Sequence, residues 1–346
     1  MSLAKQIKDK ARELGIEACG IIRPEAMLEY GEKLRERMGK IPNGEALYGG
    51  FTRFADIKAQ IPWAKSIVVT VLNYGHYRLP ESIANNYGNC YLVEPRYNHD
   101  SPERQQESAM EEFLESIGLR VETSEFPGIT GMRWAAYMAG LGIIRRNNFF
   151  YTDNGSWHHI VAWVTDGNME LIEKHNQPEC PPNCDRCIKA CPTKSLSEPY
   201  TMNMATCVSF LSVSGSTEPF SDEVCGQMGT WMYGCDACQE ACPMNKGKWR
   251  EDDDFPGLME LSTLLTPEGI LEADYSEIEE RLTARFFYIK QRNIWRWKLN
   301  AINTLVNSGR EDASDIIRTA LDDEYEVVRD KAAWSLRRLA GQDSQN

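Results

Sequence analysis

The chain has no run of 18 or more apolar residues, and its opening stretch, MSLAKQIKDKARELGIEACG, holds neither an apolar segment of signal-peptide length nor a twin arginine. These absences argue against a membrane-spanning helix and lead to the expectation of a cytoplasmic protein, whose thiols stay reduced and free to ligate metal. Basic residues are in the minority, 38 against 51 acidic, for a net charge of −13. Nucleic-acid affinity comes largely from neutralised phosphates, so this balance disfavours wholesale binding of RNA or DNA. Histidine is scarce, with five in all. The adjacent His158 and His159 fall in a strand-like stretch and point to opposite faces, so they cannot share a metal and read as structural. With 346 residues, 42% hydrophobic and 26% charged, the chain is long enough for two or three globular domains.

Cysteine is plentiful. Of 11 cysteines, nine lie between Cys180 and Cys242, in a block that opens CPPNCDRCIKACPTKSL and closes GCDACQEACPMNK. In ferredoxins with two cubane clusters, three cysteines of one run hold one cluster while the fourth, followed by proline, crosses to the other. Read this way, Cys180, Cys184, Cys187 and Cys242 hold one [4Fe-4S] cluster, and Cys191, Cys207, Cys235 and Cys238 hold the second. Both crossing cysteines precede proline, Pro192 and Pro243, whose fixed φ helps turn the chain away. The run departs from the usual spacing in one place, with three residues between Cys180 and Cys184 where two are usual. Structural zinc is the alternative that paired cysteines leave open, whereas a disulfide framework belongs to small secreted domains. Cys19, inside the apolar ACGII, reads as core, and Cys225 as a bystander.

The remaining pattern is mixed α and β. A helical stripe over residues 3–15, a strand at 18–22, a helix over 24–37 and a strand at 66–74 open the chain. SIVVTVLNY is the best central strand. The Tyr-, Asn- and Pro-rich stretch that follows, Tyr74 to Tyr97, reads as a functional segment or a lid. A helix over 103–117, a strand LRVETSEF and an Ala-rich helix then lead to Gly140 and Gly142. The missing side chains there suit either a tight turn or close approach to a ligand, with Arg145, Arg146, Asn147 and Asn148 as adjacent donors. A strand is expected over 158–164, and the acidic run 251–254 reads as a solvated linker. Beyond Leu258 the pattern is helical. The stripes are Ile302, Leu305 and Val306, then Ile316, Ile317, Ala320 and Leu321, then Val328, Ala332, Leu336 and Leu339. The phrase ALDDEYEVVRDKAAWSLRRL has the look of a HEAT-type repeat. Between Arg281 and Lys298 stand six basic residues and five aromatics without an acidic one. That interleaving suits RNA, but it equally suits a helix with buried aromatics and basic tips, which the overall charge favours.

An α/β region, a GLG-x4-N loop, a two-cluster block ending GCDACQEACPMN and a helical tail beginning RNIWRWKLNAINTLVNSG together resemble the epoxyqueuosine reductases and, more distantly, the reductive dehalogenases. The resemblance implies a nitroreductase-like α/β cobalamin-binding domain over 1–172, a ferredoxin-like module with two [4Fe-4S] clusters over 173–250, and a HEAT-like helical segment over 251–346. It implies cobalamin as a further cofactor, fed with electrons by the clusters. No Asp-x-His-x-x-Gly motif is present to supply an axial histidine. By the same resemblance the Ala139 to Asn148 loop lies along the corrin, with Gly140, Gly142, Arg145, Arg146 and Asn147 as its contacts. Arg145 and Arg146 stand where the family has Gly-Lys. Phe126 stands at the family's general-acid aspartate and Met132 at the glutamate that follows. Glu125 and Tyr137 are the available replacements as proton donor.

Because that aspartate is missing, the expected function is a cobalamin- and iron–sulfur-dependent reductase of a small organic substrate. Reduced ferredoxin or flavodoxin would supply its electrons. One alternative is epoxyqueuosine reduction in tRNA, with Arg281 to Lys298 as the RNA contact. Another is a non-catalytic protein that passes electrons to a corrinoid protein or carries cobalamin.

Overall fold

A four-stranded sheet organises the N-terminal half of this computed structural model, which describes residues 2–96, 98–124, 128–214 and 221–341. Its strands are β1 (Ala18–Ile22), β2 (Ser66–Asn73), β3 (Val121–Glu122) and β4 (His158–Thr165). They lie in the order β1-β2-β4-β3, and every neighbouring pair is antiparallel. A continuous apolar strand such as β2 needs cover on both faces, an arrangement more usual in parallel sheets. Helices supply it here. Ile67, Val69 and Val71 pack against Ala135, Ala136 and Ala139, while Val68 packs against Ile7, Ala11, Met110 and Leu114.

The covering helices are α1 (Leu3–Glu13), α2 (Leu28–Lys40), α3 (Pro102–Ser116) and α4 (Met132–Met138). Helix α1 starts at Ser2, whose hydroxyl accepts from Lys5 N, and carries Lys10 and Arg12 in its last turn, where cations suit the helix dipole. The expected helix over 24–37 divides into a 3-10 turn, Pro24–Met27, and α2. The expected strand LRVETSEF contracts to β3, because side chains take over its ladder. Arg120 N–H donates to Asp166 Oδ1 (3.0 Å), and Thr123 Oγ1 donates to Ala162 O (2.9 Å).

Of the expected functional segment or lid, Tyr74 to Tyr97, residues 74 to 93 pack into the core, and Tyr97 lies outside the described residues. Tyr74, Tyr77, Ile83, Tyr87, Leu92 and Val93 enter one apolar core with C-terminal helices that include α5 (Arg296–Ser308) and α6 (Glu326–Leu339). The short strand Tyr77–Arg78 pairs in parallel with Asp253–Asp254, so the acidic run is exposed yet fixed. Tyr87 OH donates to Leu265 O at 2.7 Å, and Trp249 Nε1 donates to Tyr77 O at 3.1 Å. In the tail, Ile302, Leu305, Ile317, Ala320, Val328 and Ala332 are buried, whereas Leu321 and Leu339 are exposed. Gly309, at φ 70°, closes α5 in the left-handed conformation that suits glycine. Among the described residues no helix is long and apolar enough to cross a membrane.

Candidate functional site

Two short helices, Arg186–Ala190 and Ala237–Glu240, pack side by side and bring the two cysteine runs together. Cys187 and Cys191 are buried with Leu196, and Cys238 packs against them. Burial raises the Cys187 thiol, and Cys242 and Cys180 add to that effect. Burial likewise raises Cys238, with further contributions from Cys235, Cys207 and Cys191. Cys187 therefore shares an electrostatic neighbourhood with Cys180 and Cys242, and Cys238 with Cys235, Cys207 and Cys191. Metal-binding thiols must lose their protons, so loading these sites releases protons and is favoured by rising pH. Cys184 is held through its backbone: its N–H donates to Pro181 O (3.0 Å), and its carbonyl accepts from Arg146 Nη1 (2.6 Å). Among the described residues no three His, Cys, Asp or Glu side chains converge on a single-ion site.

The glycine loop turns on the protein's own backbone. A Cβ on Gly140, which has φ +72°, would stand 1.9 Å from Glu173 O, and one on Gly142 would stand 2.2 Å from Tyr151 O. The side chains that follow reach the cysteine module. Arg146 Nη2 donates to Pro182 O at 2.7 Å, and Arg145 Nη1 lies 3.8 Å from Cys180 Sγ. Asn147 Nδ2 donates to Tyr151 OH (2.8 Å) and to Cys238 O (3.1 Å). His158 and His159 are both engaged in structural bonds, with Nε2 of each on a carbonyl, Gly155 O at 2.8 Å and Val93 O at 3.2 Å.

A polar seam unmarked in the sequence reading joins the module to the sheet domain. Ser156 N donates to Asn245 Oδ1 (2.9 Å), and Ser156 Oγ donates to Gln239 Oε1 (2.8 Å). Asn245 Nδ2 donates to Ser156 Oγ (2.8 Å) and Gln239 O (2.9 Å). Gln239 Nε2 continues to Asp236 Oδ1 (2.9 Å), and Asp236 Oδ2 accepts from Asn89 N (2.7 Å). Burial pushes the Asp236 carboxyl up to about 7. The signal for this seam was in the motif GCDACQEACPMN itself, in the polar letters between its cysteines.

Beside the loop, α2 and α4 bring two cations to Asn148, whose backbone is left-handed at φ 65°. Arg37 Nη2 donates to Asn148 Oδ1 at 2.6 Å, and Arg133 Nη1 donates to Asn148 O. Arg133 is open to solvent, yet desolvation and the neighbouring Arg37 lower its pKa. Tyr137 lies one turn further along α4, on Arg133's flank and 40% exposed, with its ring 5.3 Å from that of Trp134. Glu125 and Phe126 lie outside the described residues.

Comparison with known proteins follows the same lines. Residues 180–245 match the family model described as a 4Fe-4S double cluster binding domain. The chain is 28% identical over 249 residues to an epoxyqueuosine reductase of Cellulophaga algicola, covering 69% of this chain and 78% of that protein. It is 27% identical over 366 residues to that of Staphylococcus aureus, covering 99% and 90%. A crystal structure of an epoxyqueuosine reductase with a tRNA-Tyr epoxyqueuosine-modified stem loop superimposes with a TM-score of 0.75 at 23% identity, over 97% of this chain and 90% of that one. The fold is the one these reductases have, and the resemblance carried by the cysteine block extends over the whole chain.

Two expectations are thereby corrected: the small organic substrate, and the disfavouring of tRNA. The relatives are epoxyqueuosine reductases, one of them solved with a tRNA stem loop. A net charge of −13 sums the whole surface, whereas a phosphate feels only charges within a Debye length, about 8–10 Å. Half of the basic residues in the Arg281 to Lys298 stretch are structural. Lys298 forms an ion pair with Asp323 (3.1 Å), Arg285 is half-buried over the Phe255 ring, and Arg296 is buried. Arg281, which pairs with Glu277 (2.8 Å), Lys290 and Arg292 are exposed.

Proposed function

We propose that this chain reduces epoxyqueuosine in a tRNA stem loop. The single observation that carries the reading is the likeness to an epoxyqueuosine reductase over 99% of the chain, which includes the double-cluster residues 180–245. Removing an epoxide oxygen to leave an alkene takes two electrons and two protons and releases water. The cysteine module supplies the electron path, one electron per cluster per step. The setting is the cytoplasm, where cluster thiols stay reduced.

Cobalamin belongs to this proposal, together with a nitroreductase-like assignment for the sheet domain and a HEAT-like one for the tail. The residues fit such a group. Thr130 Oγ1, Trp134 Nε1 and Asn148 Nδ2 are buried without hydrogen-bond partners, and the exposed Arg133 stands beside Asn148. Buried donors left unmade are costly, about 1–3 kcal/mol each, and a large ligand rich in amide and phosphate acceptors relieves that cost. Thr130, Trp134, Asn148 and Arg133 would hold it. When bound, it would supply a low-valent cobalt centre as the immediate reductant. Tyr137 is assigned as proton donor, since it is exposed on α4 one turn from Arg133.

The test is binding and turnover of an epoxyqueuosine-containing stem loop by the anaerobically reconstituted protein. Salt-sensitive binding and loss of the epoxide are expected, with Tyr137→Phe lowering turnover about 10²-fold or more while leaving binding intact. Absence of salt-sensitive binding would remove the tRNA reading. Unchanged turnover in Tyr137→Phe would remove the tyrosine.

A further inference from the structure

We propose that Arg145 raises the reduction potential of the cluster assigned to Cys180, Cys184, Cys187 and Cys242 by donating a hydrogen bond to the sulfur of Cys180. Arg145 is 1% exposed, and its Nη1 lies 3.8 Å from Cys180 Sγ, within reach of an N–H···S bond. Its Nη2 is tied to Gln177 Oε1 at 3.4 Å, and its guanidinium lies 5.1 Å from the centre of the Tyr151 ring. The Tyr151 hydroxyl in turn accepts from Asn147 Nδ2 at 2.8 Å, which fixes the ring under the guanidinium.

The charge balance points the same way. Among the described residues no carboxylate pairs with Arg145, and its Nε is buried without a partner. A buried guanidinium with no counter-charge is unfavourable. A cubane ligated by four thiolates is anionic and supplies that charge. An added electron makes the cluster more negative, so a cation and donors to its sulfurs favour the reduced form. The bland reading is that Arg145 only anchors the backbone between Gln177 and Cys180. That role would affect iron retention without moving a potential.

The experiment is a potentiometric titration of the anaerobically reconstituted full chain, followed by EPR of the reduced clusters, with iron per chain measured on every variant. Arg145→Gln is expected to lower the midpoint of one cluster alone. The reduced-to-oxidised ratio at fixed potential should fall about tenfold, or about 59 mV for a one-electron couple. Arg145→Lys, which keeps the charge but loses the fork, should fall between wild type and Arg145→Gln. Unchanged midpoints at full iron content, an upward shift, or equal shifts in both clusters overturn the proposal. So does loss of iron in both Arg145→Gln and Arg145→Lys, which makes the arginine a holder of Cys180. Where Arg145→Gln alone loses iron, Arg145→Lys decides by the same two outcomes. The readout is independent of substrate, so failure of the tRNA reading leaves it untouched.

Discussion

Replacing Asn245 with alanine isolates the seam between the cysteine module and the sheet domain. Asn245 is 7% exposed and makes three hydrogen bonds, from Ser156 N (2.9 Å), to Ser156 Oγ (2.8 Å) and to Gln239 O (2.9 Å). Truncation orphans the Ser156 N–H. Gln239 O keeps a bond from Cys242 N (3.1 Å), and Ser156 Oγ keeps its own to Gln239. An orphaned buried N–H costs about 2 kcal/mol and each of the other two lost bonds about 1, giving about 4 kcal/mol. The assay is denaturant unfolding of the reconstituted protein, with visible absorbance reporting the clusters and far-UV circular dichroism the backbone. Cluster loss should come at lower denaturant in Asn245→Ala. A double-mutant cycle with Ser156→Ala should return a coupling of about 0.5–3 kcal/mol. A destabilisation under about 0.5 kcal/mol, or a coupling of zero, refutes the view that this seam holds the module.

Three further outcomes follow from the same structure. Gly142→Ala sets a Cβ 2.2 Å from Tyr151 O, a backbone atom, and should lose iron and fold poorly, as judged by iron content and thermal unfolding of the soluble fraction. Glu107, on α3, is pushed up to about 7 by burial against the opposing pull of Arg104. Its folded-state pKa lies above the unfolded one, so its contribution is full below about pH 4 and is lost as pH rises through about 7. Glu107→Gln should flatten that decline and be the more stable protein at pH 8, by at most about 3 kcal/mol, in denaturant titrations across pH. Lys298→Met leaves the buried Asp323 without its 3.1 Å partner and should cost about 3–5 kcal/mol in thermal or chemical unfolding while leaving stem-loop affinity unchanged. A drop in affinity at preserved stability would instead return this stretch to RNA contact.

The sequence displayed the α/β elements well where periodicity was strong, as in β2 and α3, and poorly where side chains replace backbone pairing, as around β3. The cysteine block carried the resemblance, because few other folds need that spacing. The role of the glycine loop was legible only as a pair of possibilities. Gly140 and Gly142 are required by Glu173 O and Tyr151 O, contacts between segments that spacing alone cannot pair. Tyr74 to Tyr97 looked like a functional segment or a lid because its aromatics lack a period. Their partners lie some two hundred residues later, in a core shared with residues 255–332. Net charge misled on the partner, since a sum over 346 residues carries no position.

That shared core bears on how the chain is made. The Tyr74–Val93 aromatics emerge from the ribosome long before the helices that cover them. At about 5–20 residues per second, some two hundred intervening residues mean a wait of about 10–40 s with an apolar surface uncovered. During that interval the cysteine module is also being synthesised, so cluster delivery and closure of the core compete in time. Synthesis in iron-starved cells should therefore yield chains that associate with chaperones through the nascent 74–93 segment, and a truncation before Leu258 should remain in that state.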